Sequence, residues 1–320
     1  MNSTSTSQPA APSRWLILLA FAAVYFVWGS SYIGIRFAIE TIPPFLMTAV
    51  RFLTSGTILI GFALARGAKM PTRIHWRSAA VAGGFLFLLN NSMIVWAQDH
   101  GLPSGVTAIL LATMPMFMVL LNWVRGVRPT LVTMIGLLVG FAGMLLLVSP
   151  GSIAVENMHP LAPFAVLGAS ACWSFGALFA RGADLPENGS LSTGMQLFAG
   201  GAMILILSLV TGDAATLDLS GISLTSAVAF FHLTIMSSIL TFSAFVWMMK
   251  VVPPAKVATY AYVNPVIAMI LGWALANEPL TERKLIAAAI ILSGVVIITV
   301  YGGRRITLWR TRPVTGAGHV

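Results

Sequence analysis

The sequence predicts an all-α integral membrane protein of ten transmembrane helices, arranged as two inverted five-helix repeats. Three observations carry this: an apolar content too high for a soluble core, a regular alternation of long apolar runs with short polar breaks, and rare residues that recur in matching places in the two halves. Of 320 residues, 58% are hydrophobic and 8% are charged, against about 25% charged in a soluble domain. With a mean hydropathy of +0.90, most of the chain must face lipid. There, only helices and closed barrels satisfy every backbone polar group.

A run of about 20 apolar residues is long enough to span a bilayer. Such runs fall near Trp15–Ile35, Pro43–Leu64, Ser78–Ala97, Pro103–Trp123 and Pro129–Val148, then near Pro163–Ala180, Leu191–Val210, Ile222–Met249, Pro253–Leu275 and Lys284–Tyr301. The first run follows a polar tail and Arg14. Its length, and the match of its end to a segment of the second half, mark it as a span rather than a cleaved signal peptide. With the N-terminus on one side, Lys and Arg divide 14 to 3 across the alternate loops, and Arg51 alone lies within a span. The excess of basic loops marks the cytoplasmic side, so both termini are expected there. The net charge of +9 is thereby a topology signal and not a nucleic-acid footprint, since no binding module accompanies it.

The repeat is read from spacing. Trp28 and Arg51 lie as far apart as Trp173 and Gln196, and at the same offset of 145 Arg36 matches Arg181 and Gly56 matches Gly201. Further on, at an offset of 150, Pro103 matches Pro253, Pro115 matches Pro265, Trp123 matches Trp273 and Pro129 matches Pro279. Five helices per half is an odd number, so the second half inserts upside down. Inverted repeats of this kind build transporters whose substrate site lies near the midplane, between the halves. The expected division is a cytoplasmic tail over 1–14, repeats over 15–150 and 160–303, and a basic cytoplasmic tail over 304–320.

Several motifs resemble one family. Val27-Trp28-Gly29-Ser30-Ser31-Tyr32, Arg36, Pro43-Pro44 and Arg51-Phe52 are similar to the first repeat of the EamA family of the drug/metabolite transporter superfamily. Ala171-Cys172-Trp173-Ser174-Phe175-Gly176, Thr259-Tyr260-Ala261-Tyr262-Val263-Asn264-Pro265 and Asn277-Glu278-Pro279-Leu280-Thr281 resemble its second repeat. The resemblance covers roughly residues 15 to 303. It implies ten helices in two EamA repeats, cytoplasmic termini, a bacterial inner membrane, and export of amino acids, other metabolites or drugs, nearest in type to aromatic amino-acid exporters. One departure stands out: where the family's first repeat carries Glu before its Pro, this chain has Arg128.

Candidate substrate contacts are polar or aromatic residues inside the spans. Asn91 and Gln98, seven apart, share a helix face, and carboxamides can hold amino and carboxylate groups without fixed charge; interhelical bonding is the plainer role for them. Tyr260 and Asn264, four apart, share a face just before Pro265. That proline frees the carbonyl of Ala261, and its mate Pro115 makes the pair candidate hinges. Trp28 and Tyr32, with the repeat mate Trp173, could stack on a substrate, although such residues also anchor spans at the membrane interface. Arg51 could hold a substrate carboxylate, but its place eight residues after Pro43 favours a structural role. Ser237, Ser238 and Thr241 most simply bond their own backbone, and Gly83-Gly84 and Gly200-Gly201 read as close-packing sites.

Other function classes find little support. Neither H-E-x-x-H nor G-x-S-x-G is present, and no loop is long enough for a catalytic domain, so no catalytic residue, metal site or cofactor is expected. The single Cys172 allows no disulfide within the chain. The absence of Asp and Glu near any helix midpoint argues against a buried carboxylate relay. Glu278, Asp99 and His232 are the groups through which proton coupling would run. A channel or sensor is the remote alternative, and a drug or sugar-like metabolite the alternative cargo. The expected partners are a small-molecule substrate and the lipid bilayer, with no nucleic acid; a monomer suffices and a homodimer is compatible.

Overall fold

The computed structural model describes residues 13–148, 158–252, 257 and 259–301. Apart from residues 13 and 14, the tails expected over 1–14 and 304–320 lie outside these residues, as do Glu156, Pro253 and Lys256. Every regular element among the described residues is helical. The first half holds α1 (Arg14–Ala38), α2 (Pro44–Ala65), α3 (Arg73–Asp99), α4 (Ser104–Val124) and α5 (Leu131–Val148). The second holds α6 (Ala162–Gly182), α7 (Gly189–Val210), α8 (224–251), α9 (Tyr260–Ala276) and α10 (282–301). Among the described residues eight helices are long and apolar enough to cross a membrane, and the stretches Leu131–Leu147 and Val263–Ala276 are shorter apolar helices.

The sequence sets the ends of these helices by familiar means. Pro44 opens α2 and Pro163 is the second residue of α6; the missing N–H costs nothing in a first turn. Side chains cap others: Thr72 accepts from the His75 backbone, Asn188 from Leu191, Ser223 from Ser226 and Thr281 from Lys284. Large apolar side chains such as Leu138, Leu145, Ile206 and Phe231 stay exposed on the outside of the bundle, as lipid-facing surfaces require.

Several spans are interrupted. π-helical turns occupy 23–27 of α1, 84–89 of α3, 232–241 of α8 and 297–301 of α10. α4 breaks at 112–113 into Ser104–Leu111 and Met114–Val124, with Pro115 second in the latter, whereas α9 runs unbroken through Pro265. From α6, the Ser170 hydroxyl donates to the Leu110 carbonyl at 3.3 Å and the Ser174 hydroxyl to the Met114 carbonyl at 2.9 Å, on either side of the break.

The most extensively packed pairs are α2 with α7, α4 with α9, α5 with α10, α3 with α6 and α7, α8 with α1 and α2, α4 with α6, and α9 with α1. Exchanging each helix of the first half with its counterpart in the second maps these pairs onto one another, whereas the smaller contacts of α1 with α3 and α4, of α2 with α3 and of α4 with α10 have no counterpart of that extent among the described residues. Glycines let the central helices meet backbone to backbone. A Cβ on Gly56 would lie 2.6 Å from the Phe198 nitrogen, and one on Gly200 would lie 2.8 Å from the Gly83 carbonyl oxygen. A Cβ on Gly294 would lie 2.5 Å from the Gly140 nitrogen. Small residues at helix crossings of this kind are the usual means of association in lipid, where hydrophobicity cannot drive it.

One end of the bundle is fastened by side chains that cross between the halves. Asp213, just after α7, accepts from the backbone N–H of Leu46 (2.8 Å) and Phe45 (3.4 Å) at the start of α2, and from Ser208 Oγ (2.7 Å). Glu278, in the turn before α10, accepts from Ser104 N and Oγ (2.7 and 2.8 Å) and Gly105 N (3.0 Å) at the start of α4. Arg36 lies 3.6 Å from the same carboxylate. Each carboxylate answers the unpaired N–H groups and the positive end of a helix dipole.

Candidate functional site

The irregular stretches of α3, α4 and α8, with the part of α1 that follows its own π-helical turn, meet at a cavity of about 140 Å³ between the two halves, comparable to one that accepts a benzene ring. The reason is local. A π-helical turn or a break leaves carbonyls off the regular ladder, and short polar side chains nearby collect them. The Ser31 hydroxyl bonds the Val27 carbonyl (2.7 Å) and contacts Ser237 Oγ (2.9 Å). Asn91 Nδ2 donates to the Leu86 carbonyl and to Asn90 Oδ1, both at 3.2 Å, and Asn90 Nδ2 reaches across to the Ala169 carbonyl of α6 at 2.9 Å. Trp28 Nε1 donates to the Ser237 carbonyl at 3.3 Å. Such π-helical turns are frequent at functional sites.

Of the residues singled out from sequence, Asn91, Tyr260, Asn264, Trp28, Tyr32 and Trp173 all line this cavity. The Asn264 amide, oriented to satisfy its surroundings, donates to the carbonyls of Tyr260 and Tyr25 at 3.2 Å each, so it ties α9 to α1. Trp28 sits in an aromatic cluster, edge-on to Tyr260 (5.3 Å between ring centres) and 5.1 Å from Phe245. Trp173 meets Phe87 edge-on at 6.5 Å. These positions within the bundle contrast with the interfacial anchoring weighed for Trp28, Tyr32 and Trp173. Gln98 lies outside the lining; it is 6% exposed, and neither atom of its amide has a hydrogen-bond partner among the described residues. Pro115 and Pro265 are also outside it, each adjacent to a lining residue, Met114 and Asn264.

Other lining residues were given a structural reading or passed over. Arg51, 7% exposed, projects from α2 into the cavity wall; its Nε donates to Ser238 Oγ at 2.8 Å and its Nη2 to Ser237 Oγ at 3.3 Å. Its guanidinium also sits over the Phe52 ring, 4.9 Å from the centre. Ser237 and Ser238, which self-bonding explained adequately, instead receive this cation. A signal was present in the sequence: Ser30-Ser31, Asn90-Asn91 and Ser237-Ser238 are doublets of short polar residues inside apolar runs; the first bonds back to Val27 at the end of a π-helical turn, the second adjoins such a turn and the third lies in one.

The EamA-like transporter family model matches residues 14–149 and again 160–300. The chain belongs to the EamA-like transporter family. It is 32% identical over 280 residues to YedA of Escherichia coli strain K12, an uncharacterized inner membrane transporter, covering 88% of this chain and 89% of that protein. It is 23% identical to a probable amino-acid metabolite efflux pump of Salmonella typhimurium, over 92% and 96% of the two chains. A solved crystal structure shares the fold with a TM-score of 0.60 at 20% identity, over 91% of this chain and 98% of that one. The EamA-like chain is therefore a membrane transporter of the metabolite and drug class, with inner membrane transporters among its relatives.

Proposed function

We propose that this EamA-like protein exports small metabolites, amino acids foremost, as a secondary-type transporter working by alternating access. The observation that carries the reading is the cavity lined from both halves, with Asn91 and Trp28 from the first and Trp173, Tyr260 and Asn264 from the second. Ten spans in two inverted repeats, 15–150 and 160–303, with both termini cytoplasmic, complete the proposal. The odd number of spans per half supports the inverted arrangement, in which a pseudo-twofold axis relates two conformations open to opposite sides. The named efflux pump among the relatives supports amino acids as cargo.

In this mechanism Asn91, Tyr260 and Asn264 orient the substrate and Trp28, Tyr32 and Trp173 pack against it. Gln98, which lies outside the lining, has no part in this assignment. Pro115 and Pro265 are the bending points. The test is efflux of labelled amino acids preloaded into liposomes holding the purified protein, with and without a pH gradient. Efflux is expected, and the gradient reports proton coupling; no efflux of any amino acid removes amino acids as cargo. Asn91→Ala and Asn264→Ala should each impair transport, and unchanged rates and preference in both would remove this site. Reporter tags on the two termini should both read cytoplasmic.

A further inference from the structure

The geometry points to a carboxylate subsite in the cavity, with Arg51 as the group that holds the substrate's carboxylate; this rests on the transport reading above and narrows its cargo. Arg51 carries five N–H donors. Two are taken by Ser238 and Ser237, and among the described residues the other three have no hydrogen-bond partner. No Asp or Glu lines the cavity, and no carboxylate lies within ion-pair distance of Arg51 among the described residues. A cation withdrawn from water and left without a counter-charge is costly. Two neutral hydroxyls fix its direction but supply no negative charge. Arginine's planar fork matches a carboxylate in two parallel bonds, so an incoming carboxylate supplies what the site lacks.

The remainder of the wall defines the rest of the ligand. Trp28, Trp173, Tyr32 and Tyr260 offer ring faces and edges, which suit a flat or branched apolar body of roughly benzene size. An α-ammonium group, when present, meets only neutral acceptors. Asn91 Oδ1 is one, since both side-chain bonds of Asn91 are donated by Nδ2 and its oxygen has no partner among the described residues. The substrate class is therefore small organic carboxylates, amino acids included. Cations without a carboxylate are excluded by repulsion from Arg51, which sets this site against cationic drugs.

The experiment uses one body with four patterns of charged groups. Phenylalanine, phenylacetate, phenethylamine and phenylacetamide, with leucine as an aliphatic carboxylate and inorganic phosphate as a bare anion, are titrated by calorimetry into purified full-length protein in detergent. The same probes are then followed as fluxes in liposomes. Carboxylates should bind, and the amine, the amide and phosphate should not. Arg51→Gln should weaken carboxylate binding roughly 10- to 100-fold, as loss of charged hydrogen bonds does, and Arg51→Lys should recover part of it. Thermal unfolding of each variant separates loss of fold from loss of the site. Binding that depends on Arg51 without any flux upholds the subsite and removes the transport reading. No carboxylate binding to the wild type, equal binding of phenethylamine, or undiminished binding to a folded Arg51→Gln protein overturns the subsite whatever the fluxes.

Discussion

Glu278-Pro279 and Arg128-Pro129 stand at matching places before the last helix of each half, yet they have opposite charge and opposite surroundings. Glu278 is 7% exposed and grips the start of α4 through Ser104 and Gly105, with Asn277 in a left-handed conformation turning the chain into place. Arg128 is exposed. The symmetric framework is thus fastened asymmetrically: Glu278 and Asp213 bind helix starts of the first half at one end. At the other, the caps among the described residues, such as Thr72 with His75 and Asn188 with Leu191, are local to their own helix. Architecture repeats because packing repeats; which end holds firmer follows from single charges.

The largest way to break this comparison is Glu278→Ala. It strands the Ser104 and Gly105 N–H groups and removes a charged acceptor, so thermal or chemical unfolding in detergent should show a loss of about 3 kcal/mol. Asp213→Ala removes the matching grip on α2 and should cost about 1–2 kcal/mol by the same measurement. Arg36→Gln removes only a half-exposed partner 3.6 Å from Glu278, and an effect near 0.5 kcal/mol is expected. Arg128→Glu, which restores the family's acidic turn, should change stability by less than about 0.5 kcal/mol. A loss from Arg128→Glu as large as that from Glu278→Ala would make the two turns equivalent and end the comparison.

Much of this architecture could be read from the chain. A bilayer demands long apolar helices, so their positions follow from composition: Pro43–Leu64 was expected where Pro44–Ala65 forms, and Leu191–Val210 where Gly189–Val210 forms. Close packing at Gly83, Gly200 and Gly201 was equally legible, because nothing else explains paired glycines inside a span. The interruptions were harder to see. A π-helical turn is set by how neighbouring helices take up its carbonyls, and a uniformly apolar run such as Gly84–Leu89 carries no periodicity to betray it. Gln98 shows another limit. Two residues seven apart share a face but stand about 10 Å apart along the axis, and this cavity ends before reaching it. Arg51 read more easily as a structural helix-end residue than as a substrate contact, since only the fold sets Ser237 and Ser238 beside it.

The glycine seams have a mechanical consequence. Helices that interlock ridges into grooves hold register, and shifting one past the other means lifting side chains over each other. Here the notches of α7 are filled: a Cβ on Gly200 would lie 2.6 Å from Phe87 Cβ, and one on Gly194 would lie 2.9 Å from Ile60 Cγ1. Side chains of α2 and α3 thus key into α7 beside the places where backbone touches backbone, so the seam resists sliding as well as separation. The centre of this protein is a keyed joint, tied across the halves by carboxylates at one end.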